Sequence, residues 1–130
     1  SMKELIQKLK DADGPSRELD AAILGALNHI RFLGNDAVVG DEPVNVLAGK
    51  TYSHPAPITA SIDAALALTG EVLPGWTRDV DATAPECGVD VRLHAPLPSD
   101  KRVTGTHSSE PIATIIALLT ALKMENTNDN

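Results

Sequence analysis

The densest run of groups able to hold an anion is Lys101-Arg102 followed by Thr104-Gly105-Thr106-His107-Ser108-Ser109. Cations, hydroxyl donors and backbone N–H groups there lead directly into the expected start of a helix, and these are the ordinary means of binding phosphate or carboxylate. A plainer reading of the run is that Ser108 and Ser109 cap the helix while Lys101-Arg102 decorates an exposed turn. Trp76 and Arg78 stand at i and i+2 of an expected strand, which puts an indole and a guanidinium on one face. Such a pair suits stacking of an adenine ring; a lone Trp in an aliphatic protein more often belongs to the core. Arg92 on the next expected strand adds a cation. Tyr52 and His54 offer a second stacking surface within a long loop.

Other chemistry has less to build on. His29, His54, His94 and His107 form no HxH, HxxxH or HExxH spacing that would set two metal ligands on one element. No metal site is expected. Cys87 is the only cysteine, which excludes an intrachain disulfide and a cysteine-rich zinc site and suits a reducing compartment. Neither it nor any serine sits in a nucleophile elbow or another recognised nucleophile signature. Most carboxylates fall on helix faces and in turns, where solvation and capping account for them. Without a GxxxxGK[ST] or GxGxxG run there is no P-loop or dinucleotide turn. The expectation is therefore no catalytic residue and no cofactor.

The elements that must position these groups read as α+β. Leu5, Ile6 and Leu9 recur at helical spacing within Met2 to Ala12, and Gly14-Pro15 stops that helix and starts the next. The second helix carries Leu19, Ala22, Ile23, Ala26, Leu27 and Ile30 as one stripe running to about Phe32, with Ser16, Glu18 and Asp20 near its positive end. From Gly34 to Pro57 the pattern dissolves into Gly, Asn, Asp and Pro with short β-favouring pieces, a long loop or insertion with room for one small hairpin. Thr59 then caps a third helix with Ile62, Ala65, Leu66 and Leu68 inward, ended by Gly70 and Pro74-Gly75.

Strands follow over Trp76 to Asp81, Val89 to His94 and Arg102 to Thr106, an antiparallel meander. In the middle one Val89, Val91 and Leu93 alternate with Asp90, Arg92 and His94, as a half-buried strand requires. The last helix, announced by Ser108-Ser109-Glu110-Pro111, is apolar nearly all round and belongs in the core or at a subunit interface. The expected arrangement is four helices on a small antiparallel sheet in the order αα-loop-α-β-β-β-α, a sandwich-like single domain over residues 1–130. Ser1 reads as a tag-cleavage scar, and Glu125 to Asn130 as a flexible tail.

Composition narrows the partners. The chain has 130 residues, 42% of them hydrophobic, with one Trp, one Tyr and one Phe, so the core is aliphatic. A formal net charge of −7 is opposite to the basic footprint that duplex nucleic acid needs. A small anionic ligand remains compatible, because a few local cations suffice for it. No apolar run reaches the roughly 18–20 residues of a membrane span, and no signal-peptide pattern opens the chain.

The segments Gly14-Pro15-Ser16-Arg17-Glu18-Leu19-Asp20-Ala21-Ala22-Ile23 and Thr59-Ala60-Ser61-Ile62-Asp63-Ala64-Ala65-Leu66, with the Pro-led alanine-rich final helix and the Pro74-Gly75-Trp76 strand start, resemble the phage ABA sandwich domain family. The resemblance covers about two thirds of the chain. It implies a small bacteriophage protein with helices flanking a sheet, and brings no established catalytic residues. The chain departs from that pattern in its Gly34 to Pro57 insertion and in Ile58, where an aromatic residue commonly precedes Thr-Ala-Ser.

Small non-enzymatic phage proteins with aliphatic cores include sponges that sequester nucleotide immune signals. By that analogy the leading expectation is capture of a cyclic ADP-ribose isomer or related cyclic nucleotide in the host bacterial cytoplasm, without catalysis and within a homo-oligomer. Trp76, Arg78, Arg92, Lys101, Arg102, Thr106, His107, Ser108, Ser109, Tyr52 and His54 would be the binding residues. The alternatives are a phage accessory protein that binds and inhibits a host protein, and an enzyme that degrades a nucleotide signal.

Overall fold

Serines open two of the helices. Ser16 accepts the Leu19 N–H at 3.1 Å ahead of α2 (Arg17–Ala26), and Ser61 accepts the Ala64 N–H at 3.2 Å ahead of α3 (Ile62–Val72). Each is an N-cap bonded to the third helical residue, worth about 1 kcal/mol over alanine. The computed structural model describes residues 2–27, 55–83, 86 and 88–125, and the backbone of 30–31, 38–39, 42–47 and 50–52. Its remaining elements are α1 (Met2–Asp11), β1 (Ile30–Arg31), β2 (Val38–Val39), β3 (Glu42–Leu47), β4 (Lys50–Tyr52), β5 (Thr77–Asp81), β6 (Val89–His94), β7 (Arg102–His107) and α4 (Glu110–Glu125). Four helices with a three-stranded antiparallel sheet make this a small α+β protein, as the sequence predicts.

The sheet is the expected meander, β5-β6-β7, with Thr77 opposite His94, Asp79 opposite Arg92, and Arg92 opposite Thr104. One face of it is covered. Val91, Leu93, Val103 and Gly105 point to that side and are buried, and α4 packs on them through β6 and β7. On its other flanks α4 meets α1 and α3. This placement explains a helix without a polar face: every residue from Ile112 to Leu119 is buried, and so is Ala121. A fully buried Leu or Ile there contributes about 2 kcal/mol, and Leu9, Ile23, Leu24, Ile58 and Leu68 complete the core.

Four expectations are corrected. The second helix ends at Ala26 with Leu27 as its C-cap, not near Phe32, and Ile30 lies in β1 opposite Asn45. Strand pairing takes the backbone groups that another helical turn would have used, and adjacent Ile23 and Leu24 face the core while Ala22 and Ala26 are exposed. Within the segment read as a long loop, β3 pairs antiparallel with β2 and β4, and with β1 just before it. Short runs such as Val44-Asn45-Val46 become strands because they pair with one another, which no single run reveals.

Thr59 does not cap α3. It is buried, and its N–H and hydroxyl both donate to Asp20 Oδ1 at 2.9 and 2.8 Å, while its Oγ1 accepts the Ser16 N–H at 2.9 Å. Side chain and backbone thus lock the start of α2 to the turn before α3. Asp20 is itself buried, and loss of water raises its carboxyl above the usual aspartate value despite the bonds from Thr59. Leu66, expected inward, is 38% exposed, because Ala64, Ala65, Leu68 and Thr69 form the buried face of α3.

Candidate functional site

Strand alternation sends every second residue of β5, β6 and β7 to the face opposite α4, and residues directly paired across strands share a face. The outward set is Thr77, Asp79 and Asp81 on β5, Asp90, Arg92 and His94 on β6, and Arg102, Thr104 and Thr106 on β7. All are polar or charged, and none of the described helices packs over them.

The face is graded along the strands. At one end Thr77, His94 and Arg102 form a row across the three strands, with Lys101 beside it. The middle row is Asp79, Arg92 and Thr104. At the far end are Asp81, Asp90 and Thr106. One end is therefore basic and the other acidic.

Asp79 organises the basic half. Its Oδ1 accepts Arg92 Nε at 2.6 Å, and its Oδ2 lies 2.6 Å from His94 Nε2. His94 and then Arg92 hold the Asp79 carboxyl below the usual aspartate value, and the same carboxylate raises Arg92 further. With Nε2 directed at Asp79, the other ring nitrogen of His94 is left to face elsewhere. At the acidic end Thr106 donates to Asp90 Oδ1 at 2.7 Å. Asp81 accepts the Thr83 N–H at 3.0 Å and its hydroxyl at 2.7 Å, bonds that lower its carboxyl in that order.

Beside the basic row lies a cleft of about 490 Å³ whose polar lining is Thr77, His94, Ser99, Asp100 and Lys101, so that one carboxylate stands among its donors. Its wall is the β6–β7 turn, closed by the Ala95 N–H to Lys101 carbonyl bond at 2.9 Å and by Lys101 N–H donating to Ser99 Oγ at 3.1 Å. Leu97 projects from that turn 92% exposed. Lys101 Nζ is 3.8 Å from Glu125 Oε2, a long contact between half-exposed groups that leaves the ammonium accessible.

The structure divides the residues that sequence reasoning grouped. Arg92, Arg102 and Thr106 are on the open face and Lys101 lies at its edge, reaching Glu125 of α4; Arg102 opens β7 and His107 closes it ahead of Ser108-Ser109, so the run does not form one cluster. Ser109 Oγ accepts the Ile112 N–H at 3.4 Å, and His107 accepts the Ser109 N–H on Nδ1 at 2.9 Å. Its Nε2 then carries the proton and donates to the Ala12 carbonyl at 2.7 Å, tying the start of α4 to the end of α1. Ser108 is exposed.

Trp76 and Arg78 do share a side, but it is the helix side. Arg78 pairs with Leu93 in register, its Nη2 ion-pairs with Glu110 and reaches Thr114 Oγ1 at 3.4 Å, and Trp76 packs half-buried against the core. Arg78 Nε is buried without a hydrogen-bond partner among the described residues. Tyr52 is placed only by its backbone, opposite Asn45 in β4. His54, His29 and Cys87 lie outside the described residues. The residues missed in sequence are Thr77, Asp79 and His94. Their signal was the polar phase of the alternation in β5 and β6, which gains meaning only once the strands are in register.

Among the described residues, no group of three or more His, Cys, Asp and Glu side chains is placed to hold a metal ion, and no helix is long and apolar enough to cross a membrane. Comparison with family models, curated proteins and solved structures returns no match to the chain.

Proposed function

We propose that this protein is a non-catalytic binding domain that captures a small phosphate-bearing nucleotide on the basic end of its open sheet face. The observation that carries the reading is the cross-strand pair of His94 and Arg102 on the open face, next to a cleft of about 490 Å³ that His94 and Lys101 line. Guanidinium and ammonium groups beside an imidazole are phosphate ligands that work locally whatever the net charge. Thr77 and Ser99 add hydroxyls to the cleft.

The resemblance to phage sandwich domains suggests the setting: a bacteriophage protein that withholds a nucleotide immune signal, of the cyclic ADP-ribose or cyclic nucleotide class, from its receptor in the host cytoplasm. Sequestration demands that most of the ligand be buried. A flat face beside a cleft meets that demand when a second copy closes over it, which supports a homo-oligomer.

The test is depletion and recovery. The purified protein is incubated with cyclic ADP-ribose isomers and cyclic dinucleotides, removed by filtration, and heated. Intact nucleotide released only on heating establishes capture, altered nucleotide establishes an enzyme, and no depletion from the panel overturns the reading. A second reading, docking onto a host protein, is favoured by the absence of any described helix over the outer face together with the net charge of −7. Nucleotide would then leave the melting temperature unchanged, whereas a captured ligand raises it by linkage.

A further inference from the structure

Resting on the reading above, we propose that the open sheet face fixes the direction of its ligand: the nucleotide lies along the strands with phosphate on His94 and Arg102 and its hydroxyl- or amine-bearing end on Asp90 and Asp81. The argument is charge complementarity along β6. Asp90 and His94 are four residues apart on one face, about 14 Å at 3.4 Å per residue, with Arg92 between them.

Carboxylates accept hydrogen bonds and donate none. They repel phosphate and suit ribose hydroxyls or an exocyclic base amine. The row Thr77, His94 and Arg102 has the opposite character, supplying a guanidinium, an imidazole and a hydroxyl. In the middle row Asp79 is held by Arg92 at 2.6 Å and by His94 of the neighbouring row at 2.6 Å, so Asp79 and Arg92 add little net field and Arg102 supplies the fixed charge of the basic end. A simple phosphate needs only the basic end. A nucleotide uses both, and this would discriminate it from inorganic phosphates.

The face also separates the contributions of its ends experimentally. Asp90→Asn keeps an acceptor oxygen for the Thr106 hydroxyl and removes the charge. Arg102→Gln changes an exposed residue at the start of β7. The probes are inorganic pyrophosphate and ADP-ribose, measured by calorimetry on the full chain at constant ionic strength, with circular dichroism and thermal melting confirming that each variant folds.

Arg102→Gln is expected to weaken both probes about tenfold or more, the loss of a charge-assisted bond. Asp90→Asn is expected to weaken ADP-ribose by roughly three- to tenfold while leaving pyrophosphate within about twofold, as loss of a hydrogen bond to the nucleoside alone predicts. If both probes bind and Asp90→Asn changes neither or both alike, the direction is overturned and capture stands. If Arg102→Gln leaves both unchanged, the basic end is not the phosphate seat and the assignment fails. Binding of neither probe by the wild-type chain overturns this inference, and a further lack of depletion of the cyclic panel removes the capture reading.

Discussion

Gly105 of β7 lies directly beneath Ala113 of α4, so close that a Cβ at position 105 would collide with the Ala113 carbonyl oxygen and come within 2.6 Å of the Ala117 N. Ile116 Cβ would be 3.1 Å away. Ala113 and Ala117 are one helical turn apart, so small residues on the helix and a glycine on the strand together allow the backbones to approach. The obstacles are main-chain atoms, which cannot rotate aside. Gly105→Ala is therefore expected to destabilise the fold by about 3 kcal/mol or more, at the upper end of overpacking, measured by urea denaturation. Gly70→Ala, at an exposed position of α3 where a Cβ meets nothing within 4 Å, is expected to stabilise by about 0.5–1 kcal/mol.

The buried Asp20 carboxyl gives stability an unusual slope with pH. Its folded pKa lies above the unfolded value of 3.8, so the native state holds the proton more tightly. The carboxyl's destabilising contribution is absent below the unfolded value and grows as pH rises through the folded one. Asp20→Asn keeps an oxygen to accept from Thr59 and cannot ionise. Relative to wild type, the variant is expected to gain stability as pH rises from about 3 towards neutrality, read from denaturation midpoints across that range. A wild-type slope unchanged in the variant would remove Asp20 as its source.

Asp79 is expected to behave in the opposite sense. Its folded pKa is depressed, first by His94 and then by Arg92, so its stabilising contribution is present above the unfolded value and is lost as pH falls through the folded one. Asp79→Asn should therefore be less stable than wild type near neutrality, with the difference closing at strongly acid pH. Denaturation midpoints of both proteins across that pH range are the check, and a difference that does not close at acid pH would remove Asp79 as its source.

Arg78 and Glu110 join the edge strand β5 to the first turn of α4, with side chains 21% and 41% exposed. A double-mutant cycle over Arg78→Met and Glu110→Gln is expected to give a coupling of about 1 kcal/mol, the partial exposure keeping it near the modest range of surface pairs. Nucleotide binding should survive both variants, since neither residue lies on the open face. Loss of binding with the fold intact would return Arg78 to the site.

The strands and the last helix were legible because their signals are local. Val89, Val91 and Leu93 against Asp90, Arg92 and His94 are a period of two written into one segment, and Ile112 to Ala121 leave almost no polar face. The site was less legible. Lys101-Arg102 and Ser108-Ser109 are neighbours in the text, yet an extended strand carries the former away from the latter. Trp76 and Arg78 share a face as their spacing requires, but which face packs under α4 depends on a sheet, not a strand.

What the sequence by itself determined is the local grammar: amphipathic helices, alternating strands, an aliphatic core and an acidic surface, all set by side-chain chemistry within a few residues. Tertiary structure decided the rest. Pairing among β1, β2, β3 and β4 stopped α2 early, the Asp20–Thr59 bonds turned an expected cap into a buried lock, and the register of β5, β6 and β7 set His94 against Arg102 and Asp81 against Asp90. Each depends on groups far apart in the chain, whose energies exist only after the backbone has brought them together.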